Sequence, residues 1–202
     1  MNRPAPNPPS AAAAAHPQIR LTAQVLTCLG FCLVAAPIIW LQSDPRAAVA
    51  GTMPLLWQVL VGQGLALVAA LASYAVYRLT ADSASTARTI ESYARLDLRG
   101  FNPLWISIAA AIGEEMLFRA ALQPFLGVWI VSLLFLVTHV PIYRFRKLDR
   151  ATLAQAAGLF GCSVALGYVY DYVGLLAAIL VHLWIDVVGL MVVRSAIQAR
   201  SK

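Results

Sequence analysis

The stretch that decides the fold is Pro103–Leu122, which reads PLWISIAAAIGEEMLFRAAL. Its length suits one membrane crossing, since a transmembrane helix needs about 20 mostly apolar residues. Three charged residues interrupt the apolar run, namely Glu114, Glu115 and Arg119. A charge at the centre of a bilayer costs about 2.5–3.5 kcal/mol on insertion scales. We therefore expect these side chains to face the interior of a helical bundle or a wet cavity.

The composition of the whole chain agrees with a membrane setting. Of its 202 residues, 60% are hydrophobic and only 12% are charged, and the mean hydropathy is +0.74. Soluble domains carry about a quarter charged residues, so an ordinary soluble domain and a disordered chain are excluded. The net charge of +6 does not require nucleic acid, because basic residues gather beside anionic lipid. We expect the lipid bilayer as a partner and no nucleic acid.

Six apolar blocks predict an all-α fold, a polytopic membrane bundle of about six transmembrane helices. The blocks are Leu21–Leu41, Leu55–Tyr77, Pro103–Leu122, Gly127–Tyr143, Leu153–Tyr170 and Val173–Val193. Transmembrane strands are excluded because the sequence shows no alternation in ten-residue units. The first block has 21 residues without a charge. That is longer than the apolar region of a signal peptide, about 7–15 residues, so we interpret it as a retained span.

The positions of Lys and Arg predict the orientation. Of the 15 such residues, 13 lie before the first block or after the second, fourth and sixth blocks. The remaining loops hold only Arg46, and Arg119 lies inside a block. Since basic residues favour the cytoplasmic side, we expect both termini there, in a multi-pass protein of a bacterial cytoplasmic (inner) membrane.

The same blocks predict the organisation of the chain. We expect a flexible Pro/Ala-rich tail over 1–18, two transmembrane helices and a cytoplasmic loop over 19–100, a four-helix core over 101–194, and a C-terminal tail over 195–202. Within the long loop, Asp82–Leu98 suits either a short interfacial helix or a solvated loop. The three cysteines lie in apolar runs and are expected to be small packing residues, without disulfides: Cys28, Cys32 and Cys162.

The ionisable residues of the later blocks fall at helical spacings that suit chemistry. Glu115 and Arg119 are four residues apart and can pair on one helix face. Glu114 is rotated from Glu115 by about 100°, so it is left available as a general base. His182 and Asp186, also four apart, suit a proton relay, a ligand pair or a hydrogen-bonding clamp.

Three motifs in this order resemble a known family. Glu114–Arg119 matches EExxxR, Phe135–His139 matches FxxxH, and His182–Asp186 matches HxxxN/D. Together they resemble the CPBP intramembrane proteases, also called the CAAX protease and bacteriocin-processing (Abi) family, to which the type II CAAX prenyl endopeptidases belong. The resemblance implies that the 101–194 core is catalytic and hydrolyses a peptide bond of a membrane-anchored or lipidated peptide or protein.

The resemblance also implies roles for the motif residues. Glu114 would activate water with help from His139, while Glu115 and Arg119 would brace the site. The resemblance further implies that His182 and the residue at position 186 position the scissile carbonyl or stabilise its oxyanion.

Position 186 is Asp, where the family commonly has Asn. An ionised Asp cannot donate a hydrogen bond, so Asp186 is protonated, orients His182 or helps to hold a cation. The last alternative gives a metal-dependent protease, in which a divalent metal such as zinc would have three ligands: Glu114, His139 and His182. We favour the metal-free mechanism and expect no cofactor.

Counting residues from the cytoplasmic ends of the blocks places His139 shallower than Glu114 and His182. The helices must therefore tilt or break for the three to meet. Two other classes of function use the same buried groups: an ion- or proton-coupled transporter, and a non-catalytic immunity or scaffold protein. The absence of a detectable inverted repeat in the sequence argues against the transporter.

Overall fold

The structure, a computed structural model, describes residues 19–143 and 149–200. The elements named within these ranges are all helical, which confirms the predicted all-α class. They are α1 (Leu21–Trp40), α2 (Pro45–Ala50), α3 (Leu55–Thr80), α4 (Ala84–Tyr93), α5 (Asn102–Glu115), a π-helical turn (Met116–Leu122), α6 (Gln123–Tyr143), α7 (Arg150–Tyr172) and α8 (Leu175–Arg200). The tail predicted over 1–18 lies outside the described residues. Residues 195–200, which fall in the predicted C-terminal tail, are helical and continue α8.

Five helical segments in the described ranges are long and apolar enough to cross a membrane. The third, Asn102–Pro141, has 40 residues and would measure about 60 Å if it were straight, twice the hydrocarbon thickness. It breaks at Gly127, whose φ of 75° and ψ of 165° are not helical. A positive φ of this kind is accessible mainly to glycine.

Ring packing shows that the chain reverses direction at this break. The rings of Phe118 and Phe135 lie 5.1 Å apart, although 17 residues of straight helix would separate them by about 25 Å. The long segment is therefore a hairpin of two helical arms, joined without a separate loop. The five segments thus correspond to the six predicted apolar blocks.

The segments rich in Lys and Arg lie at one end of the bundle. Three contacts join them: the bridge between Ile19 and Leu96, the ion pair of Arg88 with Asp149, and the hydrogen bond from Arg194 to the Gly100 carbonyl. This grouping agrees with the predicted distribution of charge. The cytoplasmic location of that end stays a prediction.

The segment 82–98 contains a helix, α4, that packs against the bundle. Ser83 begins α4 as an N-cap, accepting a hydrogen bond from the Thr86 N–H at 3.2 Å. Ile90 is buried in a cluster with Leu98, Ile106, Leu190 and Val193. The helix was one of two expectations for this segment, and its apolar side packs against the rest of the protein.

Close packing at the opposite end fixes the start of α8. The side chain of Gln58 is buried and donates to the carbonyls of Ala50 and Met53, while its Oε1 accepts from the Leu176 N–H at 3.2 Å. One turn further along α3, a Cβ built at Gly62 would lie 2.9 Å from the Cα of Ala177. The contact between α3 and α8 therefore requires glycine at position 62, and it holds the helix that carries His182.

Candidate active site

The stretch between the two glutamates and Gln123 is wound as a π-helix rather than an α-helix. Its seven residues, Met116–Leu122, immediately follow Glu115. Gln42, beyond the end of α1, donates to the carbonyls of Ala120 at 2.7 Å and Ala121 at 3.3 Å. π-Helical turns occur often at functional sites because they reorient side chains within a helix. Here the turn carries Arg119.

Glu114 lies between two imidazoles. Its Oε2 is 3.8 Å from Nε2 of His139 and 3.9 Å from Nε2 of His182. The structure therefore brings together the three residues that the sequence predicted to meet. Glu114 precedes Gly127 by 13 residues and His139 follows it by 12. Both are thus at similar distances from the hairpin turn, which removes the mismatch in depth expected from counting at the other ends.

His139 is held in one orientation by its own helix. Its Nδ1 lies 2.8 Å from the Phe135 carbonyl oxygen, and its ring stacks on that of Phe135 at 4.3 Å. A carbonyl can only accept, so Nδ1 carries the proton of this hydrogen bond. In a neutral imidazole the Nε2 that faces Glu114 is then an acceptor.

Carboxylates face both nitrogens of His182. Nδ1 is 2.8 Å from Oε1 of Glu115, while Nε2 is 3.9 Å from Glu114 and 3.6 Å from Oδ2 of Asp186. An imidazolium donates from both ring nitrogens, and this arrangement suits that form. The Asp186 side chain is 31% exposed, so it forms the more open edge of the cluster.

Glu115 and Arg119 form the predicted ion pair. Arg119 Nε donates to Glu115 Oε2 at 3.1 Å, and both side chains are fully buried. A buried charge needs such compensation, and Glu115 also has the hydrogen bond to His182. By contrast, Oε2 of Glu114 is buried and has no hydrogen-bond partner among the described residues. The two adjacent glutamates are therefore not equivalent, and Glu114 is the one left available.

The residues of the predicted metal alternative are neighbours, but they do not form a metal-binding group. Within residues 19–143 and 149–200, no set of three or more His, Cys, Asp or Glu side chains has an arrangement that could hold a metal ion. The expected absence of a cofactor stays a prediction.

Two polar residues that contact Arg119 were missed in the sequence. Ser163 Oγ accepts from Nη2 at 2.8 Å, and Gln123 Oε1 accepts from Nη1 at 3.4 Å. Gln123 could have been found, because it is a large polar residue four positions after Arg119 in an apolar run. Serine is common in transmembrane helices, so nothing in the sequence singles out Ser163.

The fold and the cluster together define a class of protein: a polytopic helical membrane protein that buries a carboxylate between two histidines. Residues 100–188 match the family model of the Type II CAAX prenyl endopeptidase Rce1-like proteins. This match covers a little under half of the chain and supports a relationship to the CAAX protease family. The matched segment contains the cluster from Glu114 to Asp186. Searches of curated proteins and of solved structures found no match.

Proposed function

We propose that this protein is an intramembrane endopeptidase in which Glu114 activates the attacking water. The substrate is a membrane-anchored or lipidated peptide or protein. One observation supports this most directly: the buried Oε2 of Glu114 faces two imidazole nitrogens at 3.8 and 3.9 Å without a direct hydrogen bond. These separations exceed a direct hydrogen bond of about 3 Å, and we propose that one water contacts all three groups during the reaction.

In the proposed reaction Glu114 acts first as a base and then as an acid. Glu114 accepts a proton from the water, while Nε2 of His139 accepts the other hydrogen bond and aims the oxygen lone pair at the scissile carbonyl carbon. The carbonyl π bond opens to give a tetrahedral oxyanion. Glu114 then delivers its proton to the leaving nitrogen as the C–N bond breaks, which yields a carboxylic acid and an amine and regenerates the carboxylate.

His182 is the proposed oxyanion donor. Its Nδ1 is engaged by Glu115 at 2.8 Å, so an N–H at Nε2 points toward the side of the cluster where Glu114 lies. Of the alternatives for Asp186, we propose that it orients His182, because its Oδ2 is near Nε2 at 3.6 Å. A donor aimed at the developing charge in a poorly hydrated site is worth about 3–4 kcal/mol in acyl transfer.

The test is the substitution Glu114→Gln, which keeps the size of the side chain and removes its basicity. The matched control is Glu91→Gln, since Glu91 is an exposed glutamate on α4 and the chain has only three glutamates. We expect the membrane peptidome of cells expressing Glu114→Gln to lose the cleavage products, with rates reduced about 10²–10⁴-fold as for removal of a general base. Glu91→Gln should process normally.

Normal processing by a folded Glu114→Gln variant would eliminate this mechanism. Ion flux in liposomes that depends on Glu114, without any cleavage, would instead support the transporter.

A further inference from the structure

Both polar atoms of the Gln123 side chain form hydrogen bonds. Gln123 is 3% exposed, and its Nε2 donates to the Gly167 carbonyl at 2.9 Å and to Oδ1 of Asp171 at 2.7 Å. Both acceptors belong to α7. A flipped amide would place oxygen against oxygen at these contacts, so the network assigns the orientation and points Oε1 at Arg119.

The facing surface of α7 is shaped for this contact. Ser163, Gly167 and Asp171 follow at intervals of four residues and lie on one helix face. A Cβ built at Gly167 would lie 3.0 Å from Gln123 Oε1 and 2.9 Å from Cγ1 of Val128. Position 167 thus excludes any side chain, and the Gln123 amide occupies the space beside it.

Arg119 is consequently held from two directions. Gln123 contacts Nη1 at 3.4 Å and Ser163 contacts Nη2 at 2.8 Å, which leaves Nε to face Glu115. Glu115 uses its other oxygen for Nδ1 of His182. A continuous series of hydrogen bonds therefore runs from α7 to the imidazole that faces Glu114.

We propose that Gln123 is a positioning residue: with Ser163 it orients the Arg119 guanidinium, and through Glu115 it sets the ring orientation of His182. This role rests on the proposed protease function for its effect on rate. Its effect on the His182 ring is independent of any substrate. A residue that only adds stability would alter neither the ring nor the catalytic constant of the folded enzyme.

The test compares Gln123→Met with Gln155→Met in nanodiscs. Gln155, also buried in part, donates to the Ser85 carbonyl at 3.0 Å and to Thr89 at 2.6 Å, so its variant loses two hydrogen bonds without touching Arg119. The chain has only three histidines, and ¹⁵N-histidine NMR can therefore follow the His182 ring, with assignment from a His182→Asn sample. Peptides recovered from the cleavage experiment serve as substrates.

We expect Gln123→Met to shift the His182 ring nitrogen resonances and to lower kcat about 10–100-fold with KM unchanged, as for a displaced catalytic group. Gln155→Met should change neither. Unchanged resonances and kcat in folded Gln123→Met would overturn the proposal, and so would equal changes in both variants. If the wild-type protein cleaves nothing but Gln123→Met alone shifts the His182 resonances, the positioning role is supported and the protease function is rejected.

A second variant keeps the test decisive if Gln123→Met does not fold. Ser163→Ala removes a single hydroxyl and leaves a methyl group in the same space. It should shift the same resonances in the same direction and lower kcat about threefold or more, because one of the two anchors of Arg119 remains. Wild-type resonances and kcat in Ser163→Ala would overturn the proposal.

Discussion

Substitution of Arg119 by Met tests how the buried charges are balanced. The guanidinium and the Glu115 carboxylate are both fully buried and pair at 3.1 Å. Met fills a similar length but donates no hydrogen bond, so Glu115 would keep His182 as its partner and lose the guanidinium. Removing one member of a buried ion pair costs about 3–5 kcal/mol, because the remaining charge stays desolvated. We expect Arg119→Met to lose stability in that range.

The measurement is the free energy of unfolding in mixed micelles titrated with a denaturing detergent, followed by the fluorescence of the five tryptophans. Arg46→Met is the control, because Arg46 is exposed, and a change there should stay within about 0.5 kcal/mol. In the double variant Glu115→Gln with Arg119→Met, neither buried charge of the pair remains. Its stability should return to within about 1–2 kcal/mol of the wild type.

Two results would refute this reasoning. The first is a loss below about 1 kcal/mol in Arg119→Met, which would mean that the pair contributes no more than an exposed one. The second is a double variant as unstable as the sum of its single variants, since residues that compensate each other must be coupled.

Three further predictions concern packing, pH and metals. Gly62→Ala should lose about 1–3 kcal/mol by overpacking against α8, whereas a Cβ at Gly64 meets nothing within 4 Å and Gly64→Ala should not destabilise; equal unfolding energies would contradict this. Hydrogen bonds from Arg88 hold the pKa of Asp149 well below its usual 3.8, so the stability that this pair gives α4 is present above that pH and is lost as the pH falls below it. Amide exchange in α4, corrected for intrinsic rates, should rise on acidification and rise at neutral pH in Asp149→Asn; unchanged protection in that variant would contradict a role of the Arg88–Asp149 pair in holding α4. Cleavage should survive a strong chelator, and the purified protein should hold no stoichiometric metal; loss of activity that zinc restores would favour the metal-dependent alternative.

The sequence predicts the apolar helices and the polar cluster well, because both follow from the free-energy cost of placing polar groups in hydrocarbon. Charges are expensive in hydrocarbon, so Glu114, His139 and His182 had to face inward, and inward-facing groups of one small bundle meet. Block lengths also report the number of crossings.

The hydropathy pattern does not predict the detailed backbone conformation. Hydropathy cannot reveal that Gly127 reverses the chain without a loop, because the break depends on one positive φ. It also cannot reveal the π-helical turn after Glu115, which has the composition of an α-helix. The partners of Arg119 on α7 depend on how two helices rotate against each other, and residue spacing within one helix carries no information on that.

The hairpin at Gly127 constrains the number of residues that separate Glu114 and His139 from the turn. One residue inserted between Glu114 and the turn would advance the carboxylate by about 1.5 Å and swing it around its helix by about 100°, away from His139. Neither arm can therefore change length without separating the carboxylate from the imidazole. Glu114 and His139 both lie on this hairpin, whereas His182 lies on α8, so the cluster is complete only where α8 packs beside the two arms.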